Sequence, residues 1–202
     1  MGGLKDDSTN KKRRRYTIPA SEFGFAVTTT FGVGAPVQTE LSTFGYAGLL
    51  MGAEGDMMNV LDHNLISMLD PDESVGVSVL WAPVSTIAAG DILDWIVLYD
   101  QVDVGEALVL AGTALDTVIA NQTGATTALV LHRSSRGIID PGKMDWTAKQ
   151  GALSFQVELN DWGTASADEI MFLGLQLDYV PSYFGNANED VNTLGEAVVS
   201  SS

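Results

Sequence analysis

Apolar and polar residues alternate with a period of two along much of the chain, the pattern of half-buried strands. In Ala152 to Asn160, Leu153, Phe155, Val157 and Leu159 share one face against Ser154, Gln156 and Glu158. In Ser74 to Ala82, Val75, Val77, Val79 and Trp81 point one way and Gly76, Ser78 and Leu80 the other. Glu169 to Val180 places Met171, Leu173, Leu175, Leu177 and Tyr179 opposite Phe172, Gly174, Gln176 and Asp178. Ile92 to Val102 is nearly continuous apolar, which predicts a strand covered on both faces or lying at a subunit contact.

Four further segments complete the pattern. Ser21 to Phe31 and Thr126 to His132 read as strands, and Val37 to Met51 as one long strand with a bulge near Gly45. Gly105 to Ile119 carries one or two short strands or a helical turn. In Asp56 to Leu69 the residues Met57, Val60, Leu61, Asn64, Leu65 and Met68 fit a helical stripe with Asp56 as its cap, the best helix in the chain, with an irregular strand as the other reading. Arg133 to Gly151 reads as a long polar connection, and the pattern fades after Pro181.

About eight strands spaced by turn residues, with no alternation of strand and helix, predict an all-β fold. It is an antiparallel Greek-key sandwich, most simply a single jelly roll with room for one short helix. The variable loop lengths fit a tight up-and-down barrel less well. The implied boundaries are a flexible arm over 1–20, a sandwich over 21–183 and a polar tail over 184–202.

Composition sharpens the picture in two respects. With 202 residues, 46% of them apolar, the chain can build a substantial core, and it contains no cysteine, which removes disulfides and thiolate chemistry. No stretch is long and apolar enough to predict a transmembrane helix. The net charge of −16 is unevenly placed: residues 1–15 carry six Lys/Arg against Asp6 and Asp7, whereas the remaining residues carry four against 24 acids. Such a body reads either as an ordinary acidic protein or as one adapted to high salt.

Catalytic chemistry finds little to stand on. Only His63 and His132 are available, and no third ligand stands at a metal-like spacing from either. Nucleophile-elbow, zincin and phosphate-loop motifs are lacking, so no enzyme is expected and no cofactor is implied. Asp70, Asp72 and Glu73 read first as solvated loop acids and second as structural calcium ligands. Trp146 and Trp162 fall in loops, where they either pack or stack on a ligand such as a sugar, while Trp81 belongs to a core pattern. Asn121, Gln122 and Thr123 match a glycosylation acceptor that reads as a chance match without a secretory signal.

The remaining feature is the run Lys11, Lys12, Arg13, Arg14, Arg15. A block of like charge cannot bury enough apolar surface to offset its ordering entropy, which predicts a flexible arm suited to phosphate contacts without sequence readout. Five neutralised phosphates imply a log–log salt slope of about −3.5 on single strands and about −4.5 on duplex, so one arm binds weakly and many arms on one assembly bind well.

A basic arm ahead of a β-sandwich, carried by Lys11 to Arg15 and by the strand pattern from Phe23 to Tyr179, resembles the small single-jelly-roll coat proteins of icosahedral viruses. The resemblance implies a self-assembling shell subunit, located in the virion and assembled inside the host cell. Its partners would be copies of itself, with the arm touching either packaged nucleic acid or a neighbouring subunit. It differs from many such proteins in its acidic body, a trait similar to that of coat proteins of haloarchaeal viruses. The other reading is a carbohydrate- or receptor-binding sandwich, such as a spike or adhesin domain, with Trp146 or Trp162 at its ligand.

Overall fold

The computed structural model describes residues 13–25, 37–41, 46–51, 55–87, 92–105, 116–123, 127–140, 142, 144, 151–161 and 170–182. The strands are β1 (Arg14–Pro19), β2 (Gly24–Phe25), β3 (Val37–Leu41), β4 (Tyr46–Met51), β5 (Met57–Asp62), β6 (Val75–Pro83), β7 (Ile92–Val102), β8 (Asp116–Thr123), β9 (His132–Arg133), β10 (Gly137–Ile139), β11 (Ala152–Asp161) and β12 (Ile170–Tyr179). One single-turn helix, α1 (Leu65–Met68), follows β5.

These strands form two antiparallel sheets. The first, sheet one, runs β10-β6-β12-β4-β3, with β1 also on β12 and β9 also on β6; sheet two runs β2-β5-β11-β7-β8. From β4 onward the chain alternates between the sheets: β4, β6, β9, β10 and β12 lie in sheet one, and β5, β7, β8 and β11 in sheet two. Two sheets interleaved in this way make a jelly-roll β-sandwich.

The alternating sequence builds the core as expected. Val75, Val77, Val79 and Trp81 of sheet one face Leu153, Phe155, Val157 and Leu159 of sheet two, and all are buried in one cluster. Trp95 of β7 lies 6.2 Å from Phe172 of β12, ring centre to ring centre, and Phe23 meets Phe172 edge-on at 4.9 Å. Three large rings thus hold the middle of the sandwich, each burying enough apolar surface to be worth roughly 3–5 kcal/mol against alanine.

Several segments depart from the sequence pattern, each for a local reason. Val37 to Met51 is a hairpin and not one strand: Leu41 pairs with Tyr46 and Val37 with Leu50, so the chain reverses where a bulge was expected. Asp56 to Leu69 is strand in its first half. Met57 to Asp62 pairs with Leu153 to Glu158, and only Leu65–Met68 is helical. The Asp62 carboxylate stops the strand by accepting the N–H groups of Asn64 and Leu65 at 2.8 and 2.9 Å. Thr126 to His132 yields a strand only at its last residue, because Leu129 adopts φ 60° and donates its N–H to the Pro83 carbonyl at 2.8 Å. In β12 the pairing with β6 shifts between Phe172 and Gly174. This bulge changes the inward set from Ile170 and Phe172 to Leu175, Leu177 and Tyr179, so Met171 and Leu173 do not join the core face.

Three other expectations shift. Ser21 to Phe31 begins with a 3-10 turn (Ala20–Glu22) before β2, and its later residues lie outside the described set. The polar connection after Arg133 contains the short strand β10. The arm expected to stay flexible through Ala20 is strand from Arg14 onward, pairing Arg14 with Tyr179 and Pro19 with Gly174. It docks because Tyr16 and Ile18, two residues apart, share an inward face, with Ile18 buried and Tyr16 packed against the core. The tail over 184–202 lies outside the described residues.

Candidate interaction surface

The basic run leads directly into sheet one. Its first described member, Arg13, donates from Nη1 to the backbone carbonyls of Ser74 at 3.1 Å and Asp178 at 3.3 Å, joining the ends of β6 and β12. Arg15 stands opposite Asp178 across the β1–β12 ladder, and its Nε meets Asp178 Oδ1 at 3.1 Å in an exposed ion pair. Arg14 is exposed on the same strand. Lys11 and Lys12 lie outside the described residues.

Two more arginines join them from the other edge of the sheet. Arg133 pairs with Leu80, on the side of β6 away from the core, and its Nη1 donates to Gln176 Oε1 at 3.2 Å. Arg136 covers Gly76, where a Cβ would meet the guanidinium and push this flexible, exposed side chain aside. The register aligns Arg15, Asp178, Gly76 and Ile138 in one row across β1, β12, β6 and β10. With neighbouring strands about 4.8 Å apart, the row spans roughly 14 Å. Every arginine of the chain is therefore on or beside sheet one, with Asp178 as the acid paired into it. Ile138 is 52% exposed on β10, at the edge of this surface.

The outer face of sheet two has the opposite character. Leu93, Trp95, Val97 and Tyr99 of β7 point inward, which turns Asp94, Ile96, Leu98 and Asp100 outward, all half-buried. Glu158 stands opposite Ile96 on β11. No arginine reaches this face. Among the described residues, then, the arginines gather at sheet one and Asp94, Asp100 and Glu158 at sheet two, with Asp94 Oδ1 buried.

A third exposed feature sits at one end of the sandwich. Leu129, Val130 and Leu131 are 47%, 44% and 64% exposed, beside the end of β6. Sequence periodicity counted these residues as strand, so their exposure was hidden from it.

The other sequence candidates have separate fates. Asp70 is buried and its Oδ1 accepts the Asp72 N–H at 3.0 Å, making a turn, and among the described residues no three acids or histidines gather closely enough to hold a metal ion. His63 is exposed, whereas His132 stacks on Trp81 at 4.8 Å with an interplanar angle of 26°. Trp146 and Trp162 lie outside the described residues. Sequence reasoning missed Arg133 and Arg136, although their rarity in a body with four basic residues was an available signal.

Fold and surface together define a jelly-roll β-sandwich with an N-terminal strand zipped to its last strand. No family model matches the chain, and no curated protein does. Among solved structures it is similar to the CBM36-1 domain of a multidomain xylanase from the hindgut metagenome of Trinervitermes trinervoides, with a TM-score of 0.38 and 6% identity over 81% of this chain and 96% of that one. It is also similar to a chain from the infectious bursal disease virus Gx strain, with a TM-score of 0.33 and 12% identity over 87% of this chain and 35% of that one. The VP2 subviral particle of the same virus gives a TM-score of 0.33 and 12% identity over 89% of this chain and 38% of the other. The chain spans little more than a third of the viral chains it matches. At these scores the likenesses leave the functional argument to the chain's own residues.

Proposed function

We propose that this protein is a self-assembling coat subunit of the single jelly-roll kind, located in a virion, and not an enzyme. The observation that carries the reading is the interleaved two-sheet order with a basic segment entering it through β1. That geometry anchors Arg13 to Arg15 on the sandwich and puts Lys11 and Lys12 immediately ahead of the anchor. In a shell the short basic segments act together, which compensates for the weak, salt-sensitive phosphate contacts of one copy. Exposed Leu129, Val130, Leu131 and Ile138 give the subunit apolar surface that neighbouring copies would cover.

Electron microscopy and light scattering of purified protein at low and high salt test the reading. Closed particles are the expected result. A strict monomer across that range would overturn it.

A further inference from the structure

We propose that the outer face of sheet one is a contact site for the phosphodiester backbone of a nucleic acid, built by Arg133 and Arg136 together with Arg13 and Arg15. It extends phosphate contact from the basic run to the body of the sandwich, and it does not depend on shell formation.

The observation behind it is a surplus of guanidinium groups. The chain has 26 acids, yet among the described residues only Arg15 is paired with a carboxylate, that of Asp178. Arg13 donates to the backbone carbonyls of Ser74 and Asp178, and Arg133 donates to the neutral Gln176. Arg136 lies over Gly76 and has no hydrogen-bond or ion-pair partner among the described residues. All four arginines are exposed. The residues that Arg15, Arg133 and Arg136 reach are neighbours across β12 and β6, with Gly76 opposite Asp178 and Gln176 one row further along.

The floor of the face selects the occupant. Thr17, Gln176 and Ser78 form the row beside Asp178 and Gly76, and Leu80 and Ile138 stand in separate rows. The rings of Trp81, Phe172 and Tyr179 belong to the core and Tyr16 packs against it, so β1, β6 and β12 turn no aromatic ring outward. Protein interfaces are centred on aromatic and apolar side chains, and unstacked bases bind on aromatic rings; this floor offers neither. Planar guanidinium forks match phosphate oxygens in pairs and read no sequence, which suits a backbone contact. Lys11 and Lys12 immediately precede Arg13, so the basic run leads onto the face. Asp94, Asp100 and Glu158 belong to the other sheet, about 10 Å or more away, which is about one Debye length at 0.1 M salt.

Anisotropy titrations of the full chain with fluorescent oligothymidylate, and with a duplex of equal length, test the site across about 50 to 200 mM salt. Arg133→Gln with Arg136→Gln should flatten the log-log salt slope by about 1.4 on the single strand and about 1.8 on the duplex, two phosphate contacts being lost. Arg133→Lys with Arg136→Lys keeps both charges and should keep the slope. Arg136→Gln alone removes no described hydrogen bond, so its circular dichroism melt should match the wild type while the slope falls by about half as much. Deleting residues 1–12 should weaken binding and leave a slope that the glutamine pair flattens further. A slope unchanged by the glutamine pair would overturn the inference, and so would the absence of oligonucleotide binding at the lowest salt. Equal binding of polyglutamate would also overturn it and assign the face to the carboxylates of a protein partner. Particle formation enters none of these measurements, so a strict monomer would remove the shell reading and leave this site standing.

Discussion

The Tyr16 hydroxyl donates to Asp62 Oδ2 at 2.9 Å and so ties β1 of sheet one to the end of β5 in sheet two. The other oxygen of the same carboxylate holds the N–H groups of Asn64 and Leu65, so one side chain both stops a strand and fastens the N-terminal strand across the sandwich. Burial first, and then the hydrogen bond to Asp62, push the Tyr16 phenol from 10.0 up to about 12. Because the folded state favours the protonated phenol, the associated stability is fully present below pH 10.0 and is lost as pH rises through about 12. Tyr16→Phe should cost about 1 kcal/mol at neutral pH and lose less stability than the wild type across that alkaline window. Urea titrations of both proteins at stepped pH check the sign.

Gly174 is where β1 crosses closest to β12. A Cβ there would lie 2.6 Å from the Ile18 carbonyl oxygen, a backbone atom that cannot swing aside. Gly174→Ala should destabilise the protein by about 1–3 kcal/mol and do so locally. Hydrogen exchange is expected to accelerate across Arg14–Pro19 well before it does across Ala152–Asp161. Uniform acceleration would contradict the local account.

Truncation at two points separates the roles of the N-terminal segment. Deleting residues 1–12 spares Arg13 and β1, and the melting temperature should stay near that of the full chain. Deleting residues 1–19 removes buried Ile18 and frees the edge of β12 from Gly174 to Tyr179. A loss of about 2–5 kcal/mol and a tendency to aggregate are expected from the second deletion. Under the shell reading, the first deletion lowers nucleic-acid content while particles persist.

Leu129 holds φ 60°, a left-handed conformation that costs an L-residue roughly 1–2 kcal/mol. Its side chain is 47% exposed, so little packing is at stake. Leu129→Gly should melt at or above the wild-type temperature, because relief of strain exceeds the roughly 0.5–1 kcal/mol entropic penalty of glycine. Leu129→Ala keeps the strain and should not. Calorimetry on the three proteins decides.

The sandwich was legible where one face of a strand meets the core and the other does not, as at Leu153, Phe155, Val157 and Leu159. It was illegible where a partner decides. Met57, Val60 and Leu61 fit a helical stripe as well as a strand, and pairing with Leu153 to Glu158 settled the choice through contacts distant in sequence. The bulge in β12 falls where one neighbouring strand, β4, gives way to another, β1, a change that residues 170–179 do not encode by themselves. The basic run announced its charge plainly, yet its strand character depends on Asp178 and Leu175, on the far side of the sequence. Arg133 and Arg136 carried no local pattern and acquire meaning only when β9 and β10 bring them over β6.

The pairing of Arg14 with Tyr179 sets an order of events during synthesis. Ribosomes add roughly 5–20 residues per second, so the N-terminal strand emerges on the order of ten seconds or more before its partner. Through that interval Ile18 has no strand to lie against, and the arginines beside it lack Asp178 and Gln176. Among the described strands the first made is completed by the last, and until then the apolar residue of β1 sits beside a run of five basic residues whose charge opposes edge-to-edge association.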